Sequence, residues 1–571
     1  MSSTSAAPIA WREWGAAAFE EARSLDRPIL LSATAAWSAD ARLLSERVFS
    51  DASLAGLVQE TLVPIRFDAD RLPHVRDRYN SSGWPITALL TPDGDVLWAG
   101  HTSAPDQLRG VVGQATQAWR ARRDEIDAEL RRRQLAGASS RARSTGGMVR
   151  REAADDVLSA AQASFDLRNG GFGESYKLVT PDIVELLLVE GNALDNPDWI
   201  EMATRTLDGM LAGDVFDRER GGFFRLTREP DWTQPSTEKL LETNAWALRA
   251  FGFGAHVLGR TDWRDAAERT VEWVDSALAL ADGLWGGSQA ADDAYYAGET
   301  DARPAVDRTV FTDACAQWIG ALAEVGGRFG REDWVARAAA ALATLLETMR
   351  GDDGLLHHYR AEGAAPAVPG LLSDVAETAR ACAIVAQVSG ETRFVDAALA
   401  LADAMLHHFW ATDGGFCDIA SSVEKVAGLR HEARPFETNA AAASVLVELS
   451  TLEGGRALRA SAERSLAALS PLAGRYGIAA AGFALAVEHY YEPSRAFVVV
   501  GGGDAATRLR RAALALPIVD RHVWTLPEGG TIGGRRFEPA EPAVVYACSS
   551  RRCSAPITRP EELSAASPAP R

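Results

Sequence analysis

The chain has 571 residues, of which 47% are hydrophobic and 24% are charged, a composition typical of a globular protein with several cores. The formal net charge of −19 repels phosphate backbones and anionic lipid surfaces, so neither nucleic acid nor a membrane is an expected partner. The sequence shows no signal-peptide pattern and no apolar run of about eighteen residues, and its five cysteines are few and scattered; together these features predict a cytoplasmic location.

Residues 1–122 alternate between predicted helices and short apolar strands. Strands interleaved with helices, and closed by a hairpin and a last helix, predict a small α/β domain. The predicted strands are Pro28–Ser32, Val63–Phe67, Ile86–Leu90 and Val96–Trp98, and the predicted helices end with Pro105–Arg122.

Two segments of this domain lie where a thioredoxin fold has its redox centre. Trp37 and Ser38 follow the first buried strand and precede a helix, a position at which a helix N-terminus lowers the pKa of a thiol. Pro85, in Gly-Trp-Pro, precedes the next strand, where that fold places a cis proline. Ser38 and Ala41 stand at the two thiol positions, so they are vestigial redox positions, and we expect Ser38 to cap the helix.

A charged and then basic segment, residues 123–148, is predicted to be a linker. It begins as a helix, and Ala136–Gly147 is rich in small residues, which predicts a flexible tether.

Residues 149–492 repeat one pattern, a glycine–aromatic turn between two helices. The turns include Gly170–Gly173, Gly221–Phe224, Gly283–Gly287 and Gly414–Phe416. Such recurrence marks an array of helical hairpins, and about twelve predicted helices make six pairs, which predicts an (α/α)6 toroid with the turns around one mouth. We expect the helix after the second turn to begin at Glu238, with Thr237 as its N-cap.

Residues 493–571 predict a small α/β segment with a disordered tail. Gly501–Ala506 follows a strand, and Asp520 lies about twenty residues on, a weak form of the dinucleotide pattern in a segment too short for that domain. Cys548 and Cys553 are two ligands only, which do not make a zinc site; a reduced pair or a local disulfide is expected instead.

The motifs together resemble those of the Ssp411/YyaL (spermatogenesis-associated protein 20-like) family over nearly the whole chain. That family carries Cys-His-Trp-Cys-His at the positions of Ser38–Arg42, so the resemblance implies its fold without its redox residues. The matching elements are Gly170–Gly173 with Lys177, Trp232 to Lys239 with Asn244, Pro369–Asp374, Arg430 with Pro435 and Asn439, and the cysteine pair at the C-terminus. The chain departs from the family's pattern at Ser236, Val375 and Glu437.

Candidate site residues lie at predicted junctions between loops and helices on the toroid mouth. Glu238, Asp374 and Glu437 are the candidate catalytic carboxylates, because carboxylates paired across a pocket act as general acid and base. The candidate binding residues are Phe172, Phe223, Trp232, Lys239, Asn244, Trp285, His357, Arg430, His431 and Asn439. The histidines His357, His358 and His431 are also candidate bases. Each carboxylate alone is equally explained as a partner of a helix dipole, and each aromatic as a loop anchor. We expect no metal and no cofactor.

Two functions from different classes remain open on the sequence. The first is binding or conversion of a sugar or glycan in the mouth of the toroid. The alternative is a scaffold without enzymatic activity, in which the thioredoxin-like face binds a peptide beside Pro85. A thiol oxidoreductase is less expected, since the two thiols are missing and Cys548 and Cys553 are the only closely spaced pair.

Overall fold

The computed structural model describes residues 9–81, 83–143, 148–452, 454–491, 495–518, 521–549 and 552–566. Its contacts divide the chain into two units. The first contains residues 1–145 with the segments Ala290–Tyr295 and Ser421–Ala433, and the second contains the rest. The limits 1–122, 123–148, 149–492 and 493–571 stay a prediction.

The first unit is built on a five-stranded mixed sheet. Its elements are β1 (Arg12–Glu13), α1 (Ala16–Leu25), β2 (Ile29–Thr34), α2 (Ala39–Arg47), α3 (Ala52–Thr61), β3 (Val63–Asp68), α4 (Pro73–Tyr79), β4 (Thr87–Leu90), β5 (Val96–Ala99), α5 (Pro105–Ala121) and α6 (Arg123–Arg143). The strand order is β1-β3-β2-β4-β5. Strands β1, β3 and β2 are parallel to one another, β4 is antiparallel to β2, and β5 is antiparallel to β4. The apolar strand β2 is buried along nearly its whole length, which explains its run of hydrophobic residues. The thioredoxin-like fold is thereby confirmed.

The predicted flexible tether is wrong for most of its length. Helix α6 continues to Arg143, because Ala136 to Arg143 contains no proline and only one glycine to interrupt it. Residues 144–147 lie outside the described part of the chain.

The second unit begins with a long series of helices. They are α7 (Glu152–Ser164), α8 (Pro181–Ala193), α9 (Pro197–Ala212), α10 (Leu241–Leu258), α11 (Thr261–Leu278), α12 (Asp293–Tyr296), α13 (Thr312–Phe329), α14 (Glu332–Met349), α15 (Leu372–Ser389), α16 (Thr392–His408), α17 (Phe436–Leu449), α18 (Arg456–Leu469), α19 (Ala473–Tyr476) and α20 (Ala481–Tyr491). Short strands join them: β6 (Lys177–Leu178), β7 (Leu226–Thr227), β8 (Pro235–Ser236), β9 (Lys239–Leu240), β10 (Ser288–Gln289), β11 (Val306–Asp307), β12 (Val310–Phe311), β13 (His357–Arg360) and β14 (Ala367–Pro369).

Six of these helices form a closed inner ring. Each of α8, α10, α13, α15, α17 and α20 contacts the next, and α20 contacts α8 again. Each inner helix also packs on one outer helix: α9, α11, α14, α16, α18 and α7 in the same order. Alanine-rich faces permit this close approach of helix to helix, and the predicted (α/α)6 toroid is confirmed.

Two helix limits differ from the sequence-based ones. The helix expected from Glu238 begins at Leu241, because Lys239 and Leu240 first pair with β10 as a strand, so Glu238 is not in a first turn. The sequence predicts one continuous helix over Gly474–Tyr490, but a 3-10 turn, Gly477–Ala480, separates α19 from α20, and Gly477 there has a φ of 54°.

A small sheet follows the toroid. Strands β15 (Arg495–Val500), β16 (Arg521–Leu526) and β19 (Val544–Cys548) form one sheet in the order β16-β15-β19, with α21 (Gly503–Ala515) packed against it. The hairpin β17 (Gly530–Ile532) and β18 (Arg535–Phe537) and the final helix α22 (Leu563–Ala566) complete it. Asp520 and the tail 567–571, predicted to be disordered, lie outside the described residues. Among the described residues, no helix has both the length and the apolar character needed to cross a bilayer.

Candidate functional site

The inner helices surround a cavity of about 210 Å³ within the second unit. Its ionisable lining comes from α8, α10, α13, α15, α17, α20 and β16, and consists of Asp182, Glu185, Arg249, Glu324, Arg328, Glu377, Arg380, Glu448, His489, Arg521 and His522. The interior of the toroid is therefore polar, whereas the surfaces between inner and outer helices are apolar.

These charges are tolerated inside the ring because they are paired. Burying an unpaired carboxylate or guanidinium is costly, and ionic partners offset that cost. Arg249 Nη1 lies 2.6 Å from Asp182 Oδ1, and the same guanidinium contacts Glu185. Arg328 lies 2.8 Å from Glu324, and Arg380 lies 3.3 Å from Glu377.

Two glutamates in this cavity have pKa values shifted in opposite directions. Burial raises the pKa of Glu377, and Arg380 opposes that shift only in part. Burial also acts against ionisation of Glu324, but the charges of Arg328 and Arg249 outweigh it and lower the pKa of Glu324. One carboxyl group displaced toward its protonated form and one displaced toward its ionised form, lining the same cavity, suit acid–base chemistry.

A second group of ionisable side chains lies at the N-terminal ends of α13 and α15. His358 Nδ1 is 2.9 Å from Asp374 Oδ1 and 4.0 Å from Asp313 Oδ1. Asp374 is fully buried, and burial raises its pKa to about 6 against the opposing effect of His358. On α15, Asp374 precedes Glu377 by three residues, so it lies one helical turn from the cavity lining.

Asp313, His358 and Asp374 also offer three ligand atoms within 4.8 Å of one another, a spacing that a divalent cation accepts. The hydrogen bond between His358 and Asp374 already links two of them, so the group is held together by protein contacts. We therefore assign it no metal.

The three predicted catalytic carboxylates lie in three different surroundings. Glu238 is buried and forms an ion pair with Arg225 at 2.6 Å. Asp374 contacts His358, whereas Glu437 is exposed in the first turn of α17. Glu238 and Asp374 thus have different ionic partners, and the catalytic role of the three carboxylates remains an untested prediction.

The predicted stacking aromatics are packed in the interior. Phe223, Trp232 and Trp285 have 0%, 1% and 2% of their surface exposed, and Phe172 has 9%. Phe172, Phe223 and Trp285 each form a single antiparallel bridge that closes a glycine turn, so a ligand would have to displace protein atoms to reach them. At Gly222, φ is 75° and an added Cβ would lie 2.8 Å from the Trp273 ring, so this turn requires glycine.

Asn244 and Asn439 clamp two of these turns in the same way. Asn439 Oδ1 accepts a hydrogen bond from Phe416 N at 2.7 Å, and its Nδ2 donates to Phe416 O and Pro435 O. Asn244 makes the equivalent bonds to Phe223 and Leu240. Asn244 and Asn439, which the sequence suggested as ligand contacts, thus supply hydrogen-bond partners to backbone groups of the turns.

Lys239 and Lys177 make the same set of contacts at two different glycine turns. Lys239 Nζ lies 2.8 Å from Asp217 Oδ2 and donates to Gly221 O, while burial lowers its pKa to about 8. Lys177 contacts Asp166 and Gly173 O in the same manner. Both lysines are fully buried, so each ties a glycine turn to the strand that follows it.

The remaining predicted binding residues lie apart from the cavity lining. His357 is half-buried, with Nδ1 3.3 Å from Met349 O. Arg430 and His431 are exposed and belong to the segment Ser421–Ala433 of the first unit. Their part in binding remains a prediction.

The vestigial redox positions have structural partners in the first unit. Ser38 is the N-cap of α2, with its Oγ accepting from Ala41 N at 3.1 Å and from Trp84 Nε1 at 2.8 Å. The Trp84–Pro85 peptide bond is cis, and Trp84 stacks on Trp37. Ala291 N donates to Trp37 O at 3.0 Å, so the segment Ala290–Tyr295 covers this face. The expected capping role of Ser38 is confirmed.

Sequence reasoning missed Glu324, Glu377 and their arginines. Glu324 and Glu377 lie within helices that are otherwise largely apolar, where charged residues are rarely buried unless they are paired. Charged residues in otherwise apolar helices were the available signal.

The geometry therefore defines a class of protein: a thioredoxin-like module joined to an (α/α)6 toroid with a charged central cavity. Residues 1–136 match the family described as Thioredox_DsbH, protein of unknown function, DUF255. Human spermatogenesis-associated protein 20 is 26% identical over 325 residues, which cover 52% of this chain and 40% of that protein. The rat protein of the same name is 25% identical over the same shares.

The chain is thus a relative of the spermatogenesis-associated protein 20 proteins, and its resemblance to the Ssp411/YyaL family is confirmed. The match spans about 40% of the length of these relatives.

Two solved structures share part of the architecture. A sugar epimerase from a ruminal bacterium is 16% identical, with a TM-score of 0.47 over 56% of this chain and 84% of that one. Cellobiose 2-epimerase from Bacillus thermoamylovorans is 12% identical, with a TM-score of 0.47 over 55% of this chain and 84% of that one.

Proposed function

We propose that the central cavity of the toroid binds a small neutral polyhydroxylated ligand, a sugar or a polyol, and that Glu377 and Glu324 perform acid–base chemistry on it. The single observation that carries this proposal is the pair of glutamates whose pKa values are shifted in opposite directions within one cavity.

The charge balance of the lining supports a neutral ligand. The lining contains five carboxylates and four guanidinium groups. The carboxylates belong to Asp182, Glu185, Glu324, Glu377 and Glu448, and the guanidinium groups belong to Arg249, Arg328, Arg380 and Arg521. Burial favours the neutral form of Glu377, so these groups carry little or no net charge for an ionic ligand to neutralise. Hydroxyl groups both donate and accept hydrogen bonds, so they match a lining in which carboxylates accept and guanidinium groups donate.

The two glutamates take different roles. Burial favours the protonated form of Glu377, so it is the group that donates a proton to a ligand oxygen. Glu324 is ionised, so it accepts a proton or stabilises positive charge. Arg380 and Arg328 hold the two carboxylates in place.

The proposal is tested with wild type, Glu377→Gln and Glu324→Gln against a panel of neutral sugars and polyols. Binding is measured by calorimetry and conversion by NMR. We expect wild type to bind at least one of these ligands, and each glutamine variant to retain binding within about tenfold while losing turnover by at least about a hundredfold.

Glu347→Gln is the matched control, because it makes the same change on the exposed face of the outer helix α14. Absence of binding by wild type across the panel, or turnover unchanged in both cavity variants, would contradict the proposal.

We also propose that the thioredoxin-like module performs no thiol exchange, since Ser38 and Ala41 occupy its thiol positions and no cysteine precedes Cys315. Peptide binding at this face remains the alternative function. The segment Ala290–Tyr295 argues against it, because Ala291 already donates to the Trp37 carbonyl beside the Trp84–Pro85 bond.

A further inference from the structure

The small C-terminal sheet contains a cysteine pair in a setting unlike that of the other thiols. Cys315, Cys382 and Cys417 are buried thiols outside the disulfide, and burial raises the pKa values of Cys315 and Cys382 to about 12, which makes them unreactive. Cys548, at the end of β19, instead forms a disulfide with Cys553.

The two sulfur atoms of this disulfide are not equivalent. Cys548 ends a buried strand and is 7% exposed, whereas Cys553 is half-buried. Arg535 Nη1 lies 3.1 Å from Cys553 Sγ. A neighbouring guanidinium stabilises negative charge on sulfur, so this contact favours Cys553 as the attacking sulfur, and Cys553 is also the more exposed of the two.

A cavity of about 230 Å³ lies directly beside this disulfide. Cys548, Ser549 and Arg535 contribute to its lining. Val498, Trp524, Ile532 and Phe537 form an apolar part of the remaining wall, and Glu448, Arg459, His489 and His522 form a polar part. An exchange reaction needs space for a substrate next to the sulfur atoms. Cys548 lines this space, and Cys553 adjoins it through its bond to Cys548.

From this geometry we propose that Cys548 and Cys553 form a thiol–disulfide exchange centre. Its reactive groups differ from those of the toroid cavity, although the two cavities share Ser444, Glu448, His489 and His522 in their walls. Cys553 is the nucleophile and Cys548 the resolving thiol. The substrate class is a small or peptide disulfide with an apolar group that fits the adjacent cavity.

The exchange balances in two steps. The Cys553 thiolate attacks one sulfur of the substrate disulfide, forming a mixed disulfide and releasing the other substrate sulfur as a thiolate, which takes a proton from water. Cys548 then loses its proton to water and attacks the Cys553 sulfur, which releases the second substrate thiolate and restores the Cys548–Cys553 bond. The substrate gains two electrons, and an external dithiol returns them to the protein.

The test uses the full chain reduced with dithiothreitol and then freed of it. Thiolate formation is followed by absorbance at 240 nm against pH, and exchange is followed with a short peptide disulfide that contains a phenylalanine. We expect Cys548→Ser to accumulate a mixed disulfide at Cys553, identified by mass spectrometry, and Cys553→Ser to form none.

Arg535→Met keeps both cysteines and tests the electrostatic part of the proposal. It should slow exchange about tenfold at pH 7, because the attacking thiolate loses its neighbouring positive charge. Arg536→Met is the matched control, because Arg536 is the exposed neighbour and pairs with Glu538 at 3.0 Å. Circular dichroism verifies that each variant is folded.

Three results would overturn the proposal. One is a disulfide that resists excess dithiothreitol in the native protein, which would make the pair a structural crosslink. The others are equal reactivity of the two cysteines and equal effects of Arg535→Met and Arg536→Met. None of these outcomes bears on sugar binding, so the two proposals fail separately.

Discussion

Burial has the strongest effect on the pKa values of single residues in this protein. Glu377, Asp374 and Lys239 all have pKa values displaced toward the neutral form, because the interior penalises charge more than their partners compensate. Glu324 is the exception, since arginines surround it. The identity of a residue alone therefore does not indicate its protonation state.

The raised pKa of Asp374 predicts how the stability of the folded protein depends on pH. Its folded pKa of about 6 lies above the ordinary value of 3.8, so between pH 4 and 6 the folded state binds more protons than the unfolded state. The contribution of Asp374 to the free energy of unfolding therefore decreases as pH rises through that window, by up to about 3 kcal/mol. Asp374→Asn cannot ionise, so its free energy of unfolding should change less between pH 4 and 6 than that of wild type.

Urea unfolding followed by circular dichroism at pH 4, 5, 6 and 7 measures this difference. Asp352→Asn serves as control, because Asp352 is exposed in a turn. Parallel pH profiles for wild type and Asp374→Asn would show that Asp374 has an ordinary pKa.

At the scale of single elements, the glycine turns and inner helices depend on side-chain amides for their connection. Asn244 and Asn439 each satisfy backbone groups of a turn and of the adjacent helix start. A position that looks like a ligand contact in the sequence is thus a structural clamp in the fold.

Removing one clamp should be costly. Asn439→Ala leaves Phe416 N–H buried without its 2.7 Å acceptor, so we expect a loss of about 2–4 kcal/mol in the free energy of unfolding. Hydrogen exchange of the Phe416 amide should rise in the same variant. Asn196→Ala, which removes an exposed N-cap on α9, should cost only about 1 kcal/mol. Equal losses in the two variants would argue against the clamp.

At the scale of the whole molecule, the chain forms two units that are not continuous in sequence. The segment Ser421–Ala433 belongs by its contacts to the first unit, although it follows most of the toroid. Arg78 provides the connection, with Nη1 donating to Gly428 O at 2.9 Å and Nη2 to His431 O at 2.6 Å.

Arg78→Ala should therefore loosen that distant segment without unfolding the protein. We expect tryptic cleavage after Lys425 or Arg430 to accelerate on the order of tenfold, since local opening becomes about 1–2 kcal/mol easier. Arg76→Ala is the control, because Arg76 pairs with its exposed neighbour Asp77. Unchanged cleavage relative to this control would show that other contacts hold the segment.

Much of the fold was predictable because it depends on local and periodic patterns. Three kinds of pattern depend only on neighbours in sequence: apolar runs of strand length, the helix start at Ser38 and the repeated glycine–aromatic turns. The thioredoxin-like fold and the six helix pairs could therefore be predicted from the sequence. The helix start at Leu241 did not, since the pairing of Lys239 and Leu240 with β10 replaced the first turn expected at Glu238.

The candidate site depends on contacts across the ring. The sequence by itself determined that the thiols at positions 38 and 41 are missing and that the helices pair into a toroid. Only the tertiary structure decided that Phe223 and Trp232 are buried, that Asn439 clamps a turn, and that Glu324 and Glu377 line one cavity. The physical reason is that helix periodicity sets which residues share a face, whereas the closure of six helices into a ring sets which faces meet and how far each carboxylate is removed from water.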